Sequence, residues 1–466
     1  MTNIRFEGRF HVVYILQFLR KGLVLCLLPM VQALLQFDLP SLYTALKQDA
    51  AILLIMAAVA VILWRQGGWQ LSEKALTLRF GFISWRKRLI PFDQVAVLEQ
   101  DRPLWLRILG ATRVTLYAAK SSPFQQITFY LNKHSAALLA EKMLPTESDA
   151  VFFAPSRGEK LRFTMLSANL ATSLALLTVS ARQTSELLDA NTQNLLSHLA
   201  LDNFTRFEQL AELFLPAGLA WLFTLICMLW GLALLSSFLS TAGYKVSRSG
   251  GVILACGGHV HHSERRVRSS AVSYCDVRQS PAARLLRRFP VYLCAGSFSG
   301  GNFPFVVYKK GEEDLLQALV PDFQMEALDP GSVRDRSWPM FLWKGGIAFG
   351  TSAVLVSVSL WQLPNLTPVL MLPLFLSLGL LLSGLEARFC EGISRQSGGS
   401  LRVCYTRNFT RHDLCILTQD VSYTIFQSPR AESIHRCSLY LWLPCRQKLR
   451  VRGVKRWQAR RLMLLR

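Results

Sequence analysis

Acidic residues are scarce in this chain, and catalytic signatures are absent from it. Its 466 residues hold 30 Asp and Glu against 52 Lys and Arg, a formal net charge of +22. That imbalance suits an acidic partner such as a bilayer surface. The ten cysteines include no Cys-x-x-Cys pair, so neither a zinc ribbon nor a disulfide framework is indicated. Free thiols in a reducing compartment are the simple reading. There is no Walker loop, no Gly-x-Ser-x-Gly elbow, no His-Glu-x-x-His and no kinase set. The chain is therefore expected not to be an enzyme and to hold no catalytic residue, cofactor or metal. Lastly, no small-residue cleavage site follows the first apolar stretch, where Asp38–Pro40 comes directly after, so a retained anchor is expected rather than a signal peptide.

Long uncharged runs alternate with arginine-rich stretches. A helix needs about 20 apolar residues to cross a bilayer core. Six candidate spans fall in three pairs: Gly22–Phe37 with Ala50–Trp64, Thr164–Ala181 with Leu213–Leu239, and Gly345–Leu363 with Leu366–Leu385. Leu213–Leu239 is the clearest, with no charge inside it. Thr164–Ala181 carries Ser167, Asn169, Thr172 and Ser173, which also suit a buried soluble helix; pairing with Leu213–Leu239 favours the span. One side of the spans is flanked by Arg5, Arg9, Arg20, Lys21, Arg65 and Lys344 among others, whereas the loop 182–212 on the other side is acidic. The positive-inside bias places both termini and everything between the pairs in the cytosol of a plasma membrane.

A basic module follows each pair. In the first, Ala75–Phe82 and Ser84–Pro91 alternate as a hairpin. Strands are expected at Val95–Glu99, Val114–Ala118 and Gln125–Leu131, and a helix at Ala136–Leu144 capped by Ser135. The second module aligns with it: Gly81 with Gly258, Ile90 with Val267, Val95 with Val272, Arg107 with Arg284 and Val114 with Val291. Its closing helix is expected to start at Gly311, followed by three acids. The third matches the second at Gln279-Ser280-Pro281 and Gln427-Ser428-Pro429, then maps Arg288 to Arg436 and Leu293 to Leu441. A helix over Val454–Leu465 is expected to close it. Repetition at this period points to an array of small domains.

In the first module, Trp69, Phe80-Gly81-Phe82, Ile90-Pro91, Val95–Leu98, Arg107-Ile108-Leu109-Gly110 and Val114–Leu116 form a recognisable order. On these residues the chain resembles the YdbT-like family of bacterial membrane proteins with repeated bacterial pleckstrin-homology-like (PH-like) domains. The second module has Val267-Arg268 in place of the Ile-Pro step, and the third diverges most. The resemblance implies an α+β membrane protein: three PH-like β half-barrels, each capped by a C-terminal helix, alternating with three transmembrane helix hairpins. The corresponding ranges are 12–65, 161–240 (with external loop 182–212) and 339–386 for the hairpins, and 66–145, 243–325 and 387–466 for the modules. It further implies a companion membrane protein with a PH-like domain, or self-association.

Arg86, Lys87 and Arg88 in the first hairpin, with Arg265, Arg266 and Arg268 in like places of the second module, are the candidate contacts with anionic inner-leaflet lipid. A juxtamembrane cation near such a leaflet is worth about 1 kcal/mol. A nonspecific electrostatic role, a defined lipid site and a solvated face all fit these residues. His259, His261 and His262 read as an exposed cluster beside a turn, with His259 and His261 on one strand face and no ligand set around them. The charges of the C-terminal helix do not collect on one face, and without a recognition motif no nucleic-acid partner is expected. The function expected is a non-enzymatic platform binding a partner protein or the inner leaflet. The alternative is an export or resistance component whose spans move a compound, although those spans carry almost no embedded charge.

Overall fold

The structure is a computed structural model, and it describes residues 6–20, 39–80, 86–119, 124–146, 151–155, 202–213, 217–300, 304–309, 314–321, 338–362, 367–396, 399–407, 409–417, 421–443 and 448–457, with isolated residues 159, 162, 323, 459 and 460. Tertiary contacts divide the chain into two units. One holds Met1–Phe153, Gly243–Val272 and Ala295–Ser299; the other holds Ala154–Ala242, Ser273–Cys294 and Gly300–Arg466.

In the first unit, β1 (Phe6–Gly8), β2 (Gly68–Leu71), β3 (Ala75–Phe80) and β4 (Arg86–Pro91) form an antiparallel sheet in that order. A 3-10 turn, Phe92–Gln94, follows Pro91 and turns the chain into β5 (Val95–Pro103), β6 (Ala111–Ala118) and β7 (Gln126–Asn132). Alternation along β2 and β3 buries Leu71, Leu76 and Leu78 against Leu98, Val114, Leu116, Phe129 and Leu131 of the second set. Each such side chain contributes about 1.5–3 kcal/mol by leaving water. The helix Lys133–Met143 closes this core with Leu139, Ala140 and Met143. It starts earlier than expected, with Asn132 rather than Ser135 at the cap position and no side-chain capping bond, because β7 runs straight into it.

The sheet does not stop at the edge of the first module. β5 pairs on its other side with β11 (His261–Arg268), followed by β10 (Val252–Gly257), β9 (Lys245–Ser249) and β8 (Val151–Phe153). The result is seven strands in the order β7-β6-β5-β11-β10-β9-β8.

The second unit repeats this join with later strands. β12 (Val272–Gln279), β13 (Arg288–Ala295) and β14 (Val306–Lys309) continue through the β12–β17 pair into β15 (Gly392–Arg395), β16 (Ser400–Arg407) and β17 (Thr410–Leu417). β18 (Ser422–Phe426), β19 (Arg436–Trp442) and β20 (Lys448–Lys455) make a separate sheet. Leu401, Val403, Leu414 and Ile416 pack with Leu439, Leu441 and Val451 as its core. The helix expected over Val454–Leu465 gives way at its start, since Val454 and Lys455 complete β20 opposite Cys437 and Arg436. Ser280 and Ser428, matched in the sequence, prove to be N-caps of the short helices Pro281–Leu286 and Pro429–Glu432. Each hydroxyl accepts from the backbone N–H three residues on, Ala283 at 3.1 Å and Ala431 at 3.3 Å. Proline at the first helical position completes both starts.

Three described helices are long and apolar enough to cross a membrane: Lys47–Gln66 within Leu39–Gln66, Met340–Gln362 within Trp338–Gln362, and Leu370–Cys390 within Thr367–Cys390. The first two start well before the apolar runs that announce them, because Pro40 and Pro339 are tolerated in a first helical turn, and the third runs on past Leu385 to Cys390. The last two pack as a close pair. A Cβ on Gly345 would lie 2.8 Å from Leu381 Cα, and one on Gly384 would lie 2.6 Å from Phe341 O. Small residues bring such helices together where the hydrophobic effect cannot. Helix Ala217–Thr241 contributes a shorter apolar stretch, Phe223–Leu239. The expected spans Gly22–Phe37 and Thr164–Ala181, and the start of the helix expected from Gly311, lie outside the described residues.

Candidate functional site

The two places where sheets continue from one set of strands to the next each hold buried acids, Glu99 and Asp101 in the first and Asp276 and Asp413 in the second. In the first seam, antiparallel register sets Arg265 opposite Glu99 and Ser263 opposite Asp101. Arg265 Nε donates to Glu99 Oε1 at 2.7 Å, and Tyr117 Oη donates to Glu99 Oε2 at 3.0 Å. Burial disfavours the Arg265 charge, but the Glu99 carboxylate more than offsets this and holds the guanidinium above its ordinary value. Burial and then Glu99 push the Tyr117 hydroxyl up. Two residues along the same strand face, Asp101 bonds Arg113, and His261 Nε2 approaches it at 3.4 Å. Burial would raise Asp101, yet His261, Arg113 and Ser263 hold it well below the usual carboxylate range.

The second seam is built the same way from different residues. Asp276 accepts from Arg278 Nε at 2.8 Å and meets His412 Nδ1 at 3.1 Å. Its burial opposes ionisation, but His412 and Arg278 bring the carboxyl below its ordinary value. Arg278 lies 3.6 Å from the Tyr292 ring centroid, and His412 stacks on Tyr405 at 4.7 Å. Beside them Arg402 Nε donates to Asp413 Oδ1 at 2.9 Å, the second guanidinium nitrogen reaching Oδ2. Cys275 and Cys415 face each other across the pair of strands as free thiols. Burial pushes Cys275 well up, and burial with Asp413 raises Cys404 to about 12. Such thiols are inert.

A short helix locks each seam. Arg107, in the helix Leu104–Ile108, donates from Nη1 to the His259 carbonyl at 2.6 Å, at the β10–β11 turn. Arg284, in Pro281–Leu286, donates to the Phe409 carbonyl at 3.3 Å, beside the start of β17, and bonds Glu386. These two arginines are the pair that align in the sequence.

The residues expected at lipid divide into two groups. Lys87 and Arg88 are exposed on β4, an end strand of its sheet, with Leu89 beside them 64% exposed; Arg86 opens that strand opposite Phe80. The other three have protein partners. Arg265 holds Glu99; Arg266 holds Glu264 at 2.9 Å and the Leu144 carbonyl at 3.0 Å; Arg268 donates to the Phe92 carbonyl at 2.7 Å. Reading the sequence module by module overlooked this, because Glu99, Leu144 and Phe92 lie more than 120 residues from the arginines they meet. The available signal was Glu99-x-Asp101, two acids on one face of a strand that opens with four apolar residues. His259 and His261 do not share a strand face, since Gly258 at φ +97° ends β10 and β11 begins only at His261. Among the described residues no group of three or more His, Cys, Asp or Glu gathers to hold a metal ion.

Comparison with known proteins bears on the same region. Residues 24–145 match the family model of the bacterial PH domain. No curated protein and no solved structure matches the chain. The matched segment contains β2 to β7, the bent double sheet and its closing helix, together with the first described apolar helix. The N-terminal part of this chain therefore carries a PH-like domain.

Proposed function

We propose that the chain is a non-enzymatic, multi-pass bacterial plasma-membrane protein whose three PH-like modules, related to the YdbT-like pattern, form a cytosolic platform for another PH-like module. The carrying observation is the seam. Twice, a strand that opens a second strand set receives the last strand of the following first set, with an acid against a base at the contact. By that pattern, β4 is a strand of the received kind and β18 one of the receiving kind, and each stands at the end of its sheet among the described strands. Arg88 aligns with Arg265, yet is exposed on β4. Tyr423 and Phe426 on β18 are likewise exposed, whereas the corresponding strands β5 and β12 are largely buried. A module offering an acidic edge strand would complete β4 by strand addition.

Sidedness rests on the positive flanks of the apolar helices. Purification from native membranes tests the platform: the wild-type chain should retain a stoichiometric partner or a second copy, and Arg88→Glu should lose it. A Lys87→Cys variant tests orientation, because a non-permeant thiol reagent should label that position only after lysis. Labelling of intact cells would reverse the topology.

A further inference from the structure

A cleft of about 440 Å³ opens beside the first seam, lined by Arg102, Arg107, Lys133, Gly258, His259 and His262. Among the described residues no carboxylate lines it. Three cations and two imidazoles converge from four separate elements: the end of β5, the helix Leu104–Ile108, the start of the helix Lys133–Met143, and the turn into β11. Gathering them costs electrostatic energy that nothing lining the cleft offsets. Burial first, and then Arg107, hold the Arg102 guanidinium below its ordinary value, against the opposing pull of Glu264. Arg102 Nε is buried without a hydrogen-bond partner. Glu264, the acid that acts on Arg102, is committed to Arg266 at 2.9 Å. His262 is depressed by burial and by Arg102, while the Gly258 carbonyl accepts its ring N–H. An anion in the cleft would relieve all of these at once.

The rim has the opposite character. Leu104, Trp105, Ile108 and Leu109 are 51%, 46%, 85% and 44% exposed, while Leu106 between them is buried with Val13, Ala111 and Tyr130. Positions i, i+1, i+4 and i+5 share one side of a helix, so the apolar groups form one projecting face next to the cations. A tryptophan beside basic residues is the composition of a membrane interface.

We propose that this cleft binds a phosphate group, and that in the membrane-associated protein the phosphate belongs to an anionic phospholipid whose acyl region receives Leu104, Trp105 and Ile108. The lipid half rests on the membrane placement proposed above; the phosphate half does not, so the two can fail separately. Neither depends on the β4 cations, which belong to another sheet.

The test uses the full chain in phosphatidylcholine nanodiscs. One arm titrates inorganic phosphate by calorimetry. The other adds phosphatidic acid to the discs and counts retained lipid by native mass spectrometry. Lys133→Gln, an exposed change that leaves the core intact, and Arg102→Gln should each weaken both arms by about tenfold, the worth of one charge-assisted hydrogen bond. Trp105→Ser should reduce phosphatidic acid retention and leave inorganic phosphate binding unchanged. Phosphate binding with lipid retention indifferent to Trp105→Ser would overturn the lipid half and assign a soluble phosphorylated ligand. Absence of phosphate binding, or binding unaffected by both Lys133→Gln and Arg102→Gln, would overturn the site.

Discussion

The two seams perform the same joining with different chemistry. At the first, Glu99 faces a guanidinium that cannot lose its proton; at the second, Asp276 faces an imidazole that can, together with a more exposed arginine. A buried fixed charge is costly to strand, whereas a dischargeable one can retreat to neutrality. The first seam is therefore rigidly specified. The second can lose its acid at a smaller penalty.

The largest effect should come from Glu99→Gln. It leaves Arg265 charged and nearly buried, at a cost of about 3–5 kcal/mol, seen as a lowered melting temperature and as protease cleavage near β11. Asp276→Asn should cost less, about 1–3 kcal/mol. His412 keeps its stack on Tyr405, and Arg278 keeps the Tyr292 ring. Equal losses from the two substitutions would remove the contrast between the seams.

Acid should produce a smaller graded effect in both seams. Asp101 and Asp276 are held below the ordinary 3.8, so the folded state binds their protons less tightly than the unfolded chain does. The stability they contribute is complete above about pH 4 and is lost as the pH falls through their lowered folded values. Melting curves should thus be flat in these contributions from neutrality to about pH 5 and decline below about pH 4. Loss centred near neutrality would contradict the assignment of these carboxylates.

Much of the local structure was legible in the sequence. Period-two alternation placed β3, β4, β6 and β7 to within a few residues, because each buries one face on a core. The matched Ser-Pro steps show in the sequence only as a repeat, and in the structure each proves to start a helix, a hydroxyl cap followed by proline. The short helix Leu104–Ile108 was not legible: its apolar residues project outward, so they carry no core-facing pattern. Nor were the seams, because a strand's second neighbour is set by long-range pairing, of which Glu99 and Asp101 on one strand face are the local trace. Arg265, Arg266 and Arg268 looked like surface charge for that reason. The cleft beside Arg102 depends on the same pairing, which brings the His259–His262 turn to a helix about 120 residues earlier.

Hydrogen exchange of the full chain in lipid nanodiscs measures the seams directly. If sheets run through them, the amides of β11 and β17 will exchange as slowly as those of the interior strands β6 and β19, while β18 exchanges quickly along its open side. Fast exchange in β11 and β17, beside slow β6 and β19, would mean that the modules stand apart and that no shared sheet joins them.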